Sequence, residues 1–94
     1  MESSQSPDRD TKVSAAPNHF RDKITVKLTN DFTETVTVRI WNVSGRMVFE
    51  QNYTLPEGEN KIDIESLGKL PKGTYLLRVF KGAVVSEGIK LLKD

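Results

Sequence analysis

The sequence predicts an all-β protein, an antiparallel β-sandwich of about seven short strands. Three observations carry that prediction. From His19 onward, apolar and polar residues alternate at period two. The strand-like runs recur at roughly 8–12-residue spacing, with turns rich in Gly, Pro and Ser between them. No segment shows the period of about 3.6 residues that an amphipathic helix requires.

Residues 1–18, MESSQSPDRDTKVSAAPN, are rich in Ser, Asp and Pro and lack aromatic residues. Such a composition buries too little apolar surface to offset its ordering entropy. They are expected to form a disordered arm or linker, with the sandwich spanning residues 19–94. KITVKL then alternates cleanly, Ile24, Val26 and Leu28 on one face and Lys23, Thr25 and Lys27 on the other. TVTVRIWNV repeats the pattern with Val36, Val38 and Ile40 inward. Trp41 breaks it, which predicts a bulge or a strand with protein on both faces. Ser44-Gly45 turns the chain into RMVFEQNYTL, with Gly45 supplying the positive φ of a tight hairpin. Met47, Phe49, Tyr53 and Leu55 are expected on one face of that strand.

Pro56-Glu57-Gly58-Glu59 reads as a turn, and NKIDI as a short strand with Ile62 and Ile64 inward. In the loop ESLGKLPKG, Leu67 and Leu70 are expected to plug the end of the core. TYLLRVF and VVSEGIKLL close the domain as a hairpin around Lys81-Gly82.

Composition narrows the function. A chain of 94 residues forms one domain with a modest core. It has no cysteine, hence no disulfide framework and no thiolate metal site. The net charge is +1 with the two signs interleaved, which gives no field for nucleic acid or an anionic membrane. No apolar run approaches the ~20 residues of a membrane span, and no secretory signal opens the chain. The one histidine, His19, stands at the edge of the arm, so no base–nucleophile pair is expected. There is no G-x-S-x-G elbow and no glycine-rich phosphate loop. Asp22, Asp31, Glu34, Glu57 and Glu59 lie at strand ends without calcium-loop spacing. The chain is expected to be no enzyme and to hold neither cofactor nor metal. Trp41, Phe49, Tyr53 and Phe80 read as packing residues, Trp41 being the one candidate for carbohydrate stacking.

Several stretches in order resemble the type A C-terminal sorting domain of the bacterial type IX (Por) secretion system. Pro17-Asn18-His19-Phe20 is similar to a Pro-Asn-Pro-Phe element, with His19 in place of the second proline. VTVRIWNVSGRMV follows the family's second strand and hairpin, with Trp41 for its tyrosine, Asn42 for its aspartate and Arg46 for its lysine. Asn60-Lys61-Ile62-Asp63-Ile64 matches the next strand, and Leu70-Pro71-Lys72-Gly73-Thr74-Tyr75 is the most specific piece. A strand, a glycine turn and a lysine-containing final strand follow. The likeness covers residues 17–94 and implies an immunoglobulin-like sandwich. In such sandwiches Pro and Gly turn the chain at a corner that a tyrosine hydroxyl anchors. Pro17, Asn18, Phe20, Gly45, Pro71, Gly73, Tyr75 and Gly82 are therefore expected to determine the fold.

The function implied is an address. A cargo joined N-terminally would be carried from the periplasm across the outer membrane, to the cell surface or the medium. The partners implied are the type IX translocon with its outer-membrane shuttle protein, and a sortase-like cysteine peptidase that removes the domain. Cleavage is expected between Glu2 and Asn18, in extended backbone a protease can reach. Lys90, Leu91, Leu92, Lys93 and Asp94 are the expected translocon contacts. An immunoglobulin- or fibronectin-like accessory or adhesion module would share the fold. Monomer or weak self-association is expected, with Glu50 and Lys90 protecting edge strands.

Overall fold

The structure, a computed structural model, describes residues 13–94. Its nine strands are β1 (Val13–Ala16), β2 (His19–Phe20), β3 (Ile24–Asn30), β4 (Glu34–Asn42), β5 (Met47–Leu55), β6 (Gly58–Ile64), β7 (Gly73–Lys81), β8 (Val84–Val85) and β9 (Ile89–Lys93). There is no helix among the described residues. Two sheets stack: a smaller one in the order β1-β3-β6 and a larger one in the order β2-β9-β7-β4-β5, with β8 also pairing β7. All pairings are antiparallel except the short β2–β9 contact.

The period-two pattern puts the predicted residues between the sheets. Ile24, Val26, Leu28, Ile62 and Ile64 face inward from the smaller sheet, and Val36, Val38, Ile40, Leu77, Val79 and Leu91 from the larger. Each such side chain contributes roughly 1.5–3 kcal/mol of burial. Leu67 is buried and Leu70 packs against the same core, closing one end as expected. The hairpin glycines Gly45 (φ 85°) and Gly82 (φ 58°) occupy the left-handed region that both tight turns demand.

Three local expectations change. First, Val13–Ala16 falls within the stretch read as an arm, yet it pairs along β3 from Val13↔Leu28 to Ala16↔Thr25. Its Ala15 meets Val26 and is buried. Short, small residues gave no pattern of their own; the edge of β3 supplies the partner. Residues 1–12, the rest of that stretch, lie outside the described residues.

Second, Met47 does not share the inner face of β5. The β4–β5 register shifts between Ile40 and Trp41, from Ile40↔Phe49 to Trp41↔Met47, so Val48 is the extra residue. The bulge foreshadowed by Trp41 thus sends Met47 outward, 44% exposed, and lets Val48 pack on the core beside Phe49, Tyr53 and Leu55. Partial burial pushes the Tyr53 phenol pKa up from 10.0.

Third, VVSEGIKLL is two strands. Pairing runs Lys81↔Val84 and Phe80↔Val85, then resumes at Leu77↔Ile89 with one residue extra. Ser86 fills the break: its Oγ accepts from the Val79 N–H (2.8 Å) and its own N–H donates to the Val79 carbonyl (2.8 Å). The buried hydroxyl keeps the Val79 backbone satisfied where the ladder is interrupted.

A buried polar link joins the sheets at the opposite end from Leu67. Lys81 continues the inward series of β7, and its Nζ donates to the Thr29 carbonyl (2.9 Å) and to Asn30 Oδ1 (3.3 Å). Asn30, also buried, donates through Nδ2 to the carbonyls of Leu55 (3.4 Å) and Pro56 (3.3 Å), where the chain crosses from β5 to β6.

Candidate functional site at the terminal corner

The residues that the sequence singles out at both ends of the domain come together in one corner of the larger sheet. β9 lies between β7 and β2 and pairs antiparallel with β7 from Leu77↔Ile89 to Gly73↔Lys93. On its other side β2 runs parallel, His19 beside Leu92 and Phe20 beside Lys93. Two backbone hydrogen bonds bracket this contact: the Leu92 N–H donates to the Asn18 carbonyl (2.7 Å), and the Asp94 N–H to the Phe20 carbonyl (2.9 Å). His19 Nδ1 meets Asp94 Oδ1 at 3.2 Å, both side chains being largely exposed. In solvent such a pair is worth little on its own. The backbone bonds fix the corner.

Pro71, Gly73, Tyr75 and Phe20 hold the corner from below. The Tyr75 hydroxyl donates to the Pro71 carbonyl at 2.6 Å, the anchoring bond the LPKGTY stretch predicts. Its ring is buried and meets the ring of Phe20 edge-on, the centroids 6.4 Å apart. Gly73 opens β7 with φ 148° opposite Lys93. Of the Pro17-Asn18-His19-Phe20 stretch, His19 and Phe20 form the short strand that covers the outer side of β9 at Leu92 and Lys93. Pro17 and Asn18 are exposed and the Ala16-Pro17 peptide is cis.

The five expected contact residues do not form one surface. Leu91 stands opposite Tyr75 with no exposed area, and belongs to the core. Lys90 and Leu92 point to the outer face of the larger sheet, opposite Leu76 and Thr74. Lys93 has the parity of Leu91, is half-buried, and its Nζ donates to the Asp94 carbonyl oxygen (3.2 Å). What the corner presents to solvent is Lys90, His19 and Asp94, with Leu92 half-buried between them. β2 covers β9 only at Leu92 and Lys93, so Lys90 stands on the part of β9 whose outer side has no strand partner, the edge position expected for it.

Two further contributors were hidden from a local reading. Asn42 Oδ1 accepts from the N–H groups of Ser44 and Arg46, both at 3.0 Å, and so shapes the hairpin that Gly45 turns. Its short acceptor side chain was the available clue. His19 and Asp94 are 75 residues apart and carry no local signature of their pairing. The aromatic residue out of phase, Trp41, packs at 6.3 Å and a tilted angle against Phe80 on the outer face, with the Arg39 guanidinium 4.7 Å above the Phe80 ring.

Comparison with known proteins bears directly on this corner. A family described as the secretion system C-terminal sorting domain, of the Por system, matches residues 14–92. The chain belongs to that family. The match begins inside β1 and ends within β9, so it spans both sheets. The sorting-domain family is non-catalytic, and membership implies dealings with the secretion machinery and a cargo bound for the outer membrane or the medium. No curated protein matches the sequence. Among solved structures, PhoD aligns with a TM-score of 0.67 at 11% identity over 86% of this chain. A β-glucosidase, EmGH1 from Erythrobacter marinus, aligns with a TM-score of 0.55 at 12% identity over 89%. The sorting domain spans only 18% and 16% of those chains, and at such identities the likeness is one of fold.

Proposed function

We propose that the domain is the address by which a covalently joined N-terminal cargo is taken from the periplasm through the type IX translocon to the cell surface or beyond. The observation that supports this most is the family match over residues 14–92, which takes in nearly all of the described sandwich. The terminal corner adds a physical reason for reading the folded domain rather than a linear peptide. Its exposed groups come from both ends of the sequence and are adjacent only after folding. Lys90 and Leu92 on β9 and Asp94 just after it, with His19 beside them, form the surface offered to the translocon and its shuttle partner. Lys93 contributes its charged tip, and Leu91 holds the strand from inside.

A sortase-like cysteine peptidase then removes the domain. Proteases need extended, unpaired backbone, and Val13–Ala16 is hydrogen-bonded to β3. Within the Glu2–Asn18 window, Val13–Ala16 is therefore a poor place for the cut.

The test is export in a host with a type IX system. Residues 1–94 are fused to a periplasm-targeted fluorescent reporter, beside a Lys90→Glu/Lys93→Glu variant whose thermal melt is checked. Surface fluorescence for the parent and periplasmic retention of the folded variant are expected. If the parent itself stays in the periplasm, the address reading fails and an accessory module of a surface protein takes its place.

A further inference from the structure

The sheet edges differ sharply in how they are protected. β1 and β2 are short, four and two residues. The edge strand β6 alternates Glu59, Lys61 and Asp63 outward, charges that discourage strand addition. The edge strand β5 has nine residues, MVFEQNYTL, with no Pro, no Gly and one charge. That charge, Glu50, is already bonded to Arg39 at 2.8 Å. Among the described residues it is the long edge without a free charge, and it combines high β-propensity with low net charge.

Register shows which groups are unpaired. Gly82-Ala83 is a two-residue hairpin, so Lys81 and Val84 form a hydrogen-bonded pair and the odd residues of β7 turn toward β8 and β9. The two bonds between Val79 and Ser86 agree. The even residues of β7 then turn to β4, Arg39 pairing with Arg78, and Val38 turns the other way to Gln51. The backbone groups of Glu50, Asn52 and Thr54 consequently point out of the sheet.

We propose that this edge is a self-association site: a second copy of the chain adds its own β5 antiparallel, about a two-fold axis at Gln51, and joins the two larger sheets. In that register Glu50 exchanges hydrogen bonds with the partner's Asn52, and Phe49 faces the partner's Tyr53. Cross-strand aromatic pairs of this kind are favourable. A two-fold at Glu50 would set like carboxylates opposite each other, which is unfavourable. The composition of β5 complements itself about Gln51, and this singles out a second copy as the occupant.

The chain has no cysteine, which makes a direct test available. Gln51 is exposed and would face its symmetry mate in a non-hydrogen-bonded pair, with Cα atoms about 4.5 Å apart, inside the roughly 4.4–6.8 Å range of a disulfide. Gln51→Cys should form a covalent dimer under mild oxidation far faster than Glu65→Cys, an exposed loop position that reports random collision. Sedimentation equilibrium of the unmodified 94-residue chain should show a concentration-dependent dimer. Asn52→Glu, placing a carboxylate against the partner's Glu50 in each of the two symmetry-related pairs, should weaken it by about tenfold, and Asn52→Lys should tighten it. A chain that sediments as a monomer at every concentration overturns the proposal, including the case in which the edge serves a strand of some other protein. Equal cross-linking at positions 51 and 65 overturns it as well. Because the parent chain carries the decisive measurement, a variant that folds poorly does not rescue the idea.

Discussion

At the scale of single residues, the Tyr75 hydroxyl shows how a corner is fixed by one short bond. Its acceptor is the carbonyl of Pro71, a residue whose ring fixes φ where the chain turns. Tyr75→Phe keeps the ring against Phe20 and removes only the donor. We expect a loss of about 1–2 kcal/mol, from the missing bond and the carbonyl left behind. In a domain of this size, thermal melting should register each kcal/mol as a fall of about 4–8 °C. This corner was legible in the sequence, because Pro, Gly and Tyr at that spacing have a mechanical reason to occur together. Asn42 was only half legible: its residue type suits a turn, but which amides it would accept from depended on the hairpin's register. Met47 was misplaced because alternation was carried straight through a bulge that Trp41 had signalled one strand earlier.

At the scale of elements, β9 separates two properties that the sequence merges. As a run of letters, IKLLK looks like one exposed, basic ending; as a strand it has two faces. Leu91 on the inner face is fully buried, and Lys90 on the outer face is exposed. Leu91→Ala should cost about 2–5 kcal/mol, a large share of the total stability of a domain this small. Lys90→Glu should change stability by less than about 0.5 kcal/mol. Urea titration of the two variants checks the contrast. It also decides how an export defect is to be read, since loss of export in Leu91→Ala reports unfolding. The faces of β3, β4, β6 and β7 were legible because period two persists through each. The pairings of β1 and β2 were not. Four small residues and a His-Phe pair have no pattern of their own, and each becomes a strand only because a neighbouring edge is there to receive it.

At the scale of the whole molecule, the two sheets are held together by more than apolar contact. Lys81 spans from the larger sheet to the end of β3, and Asn30 hands the connection on to the β5–β6 crossing. Lys81→Met preserves most of the buried stem but leaves the Thr29 carbonyl and Asn30 Oδ1 without their donor. We expect a loss of about 2 kcal/mol, with an unchanged slope in urea unfolding because the surface exposed stays the same. Lys81 follows Tyr75, Leu77 and Val79 at the same parity, so its inward direction could be read in advance. Its acceptors, more than fifty residues earlier in the chain, could not.

The position of β9 has a consequence for biosynthesis. Its slot lies between β7, made shortly before it, and β2, made near the start. A ribosome can release every other strand of the larger sheet and still leave β2 with no strand to pair and Tyr75 open on one side. The sheet closes only when residues 89–94 have emerged. A product broken off by premature termination or by a protease upstream of β9 therefore cannot assemble this corner. If the corner is what the export machinery inspects, the fold doubles as a proof of completion: truncated cargo carries no valid passport.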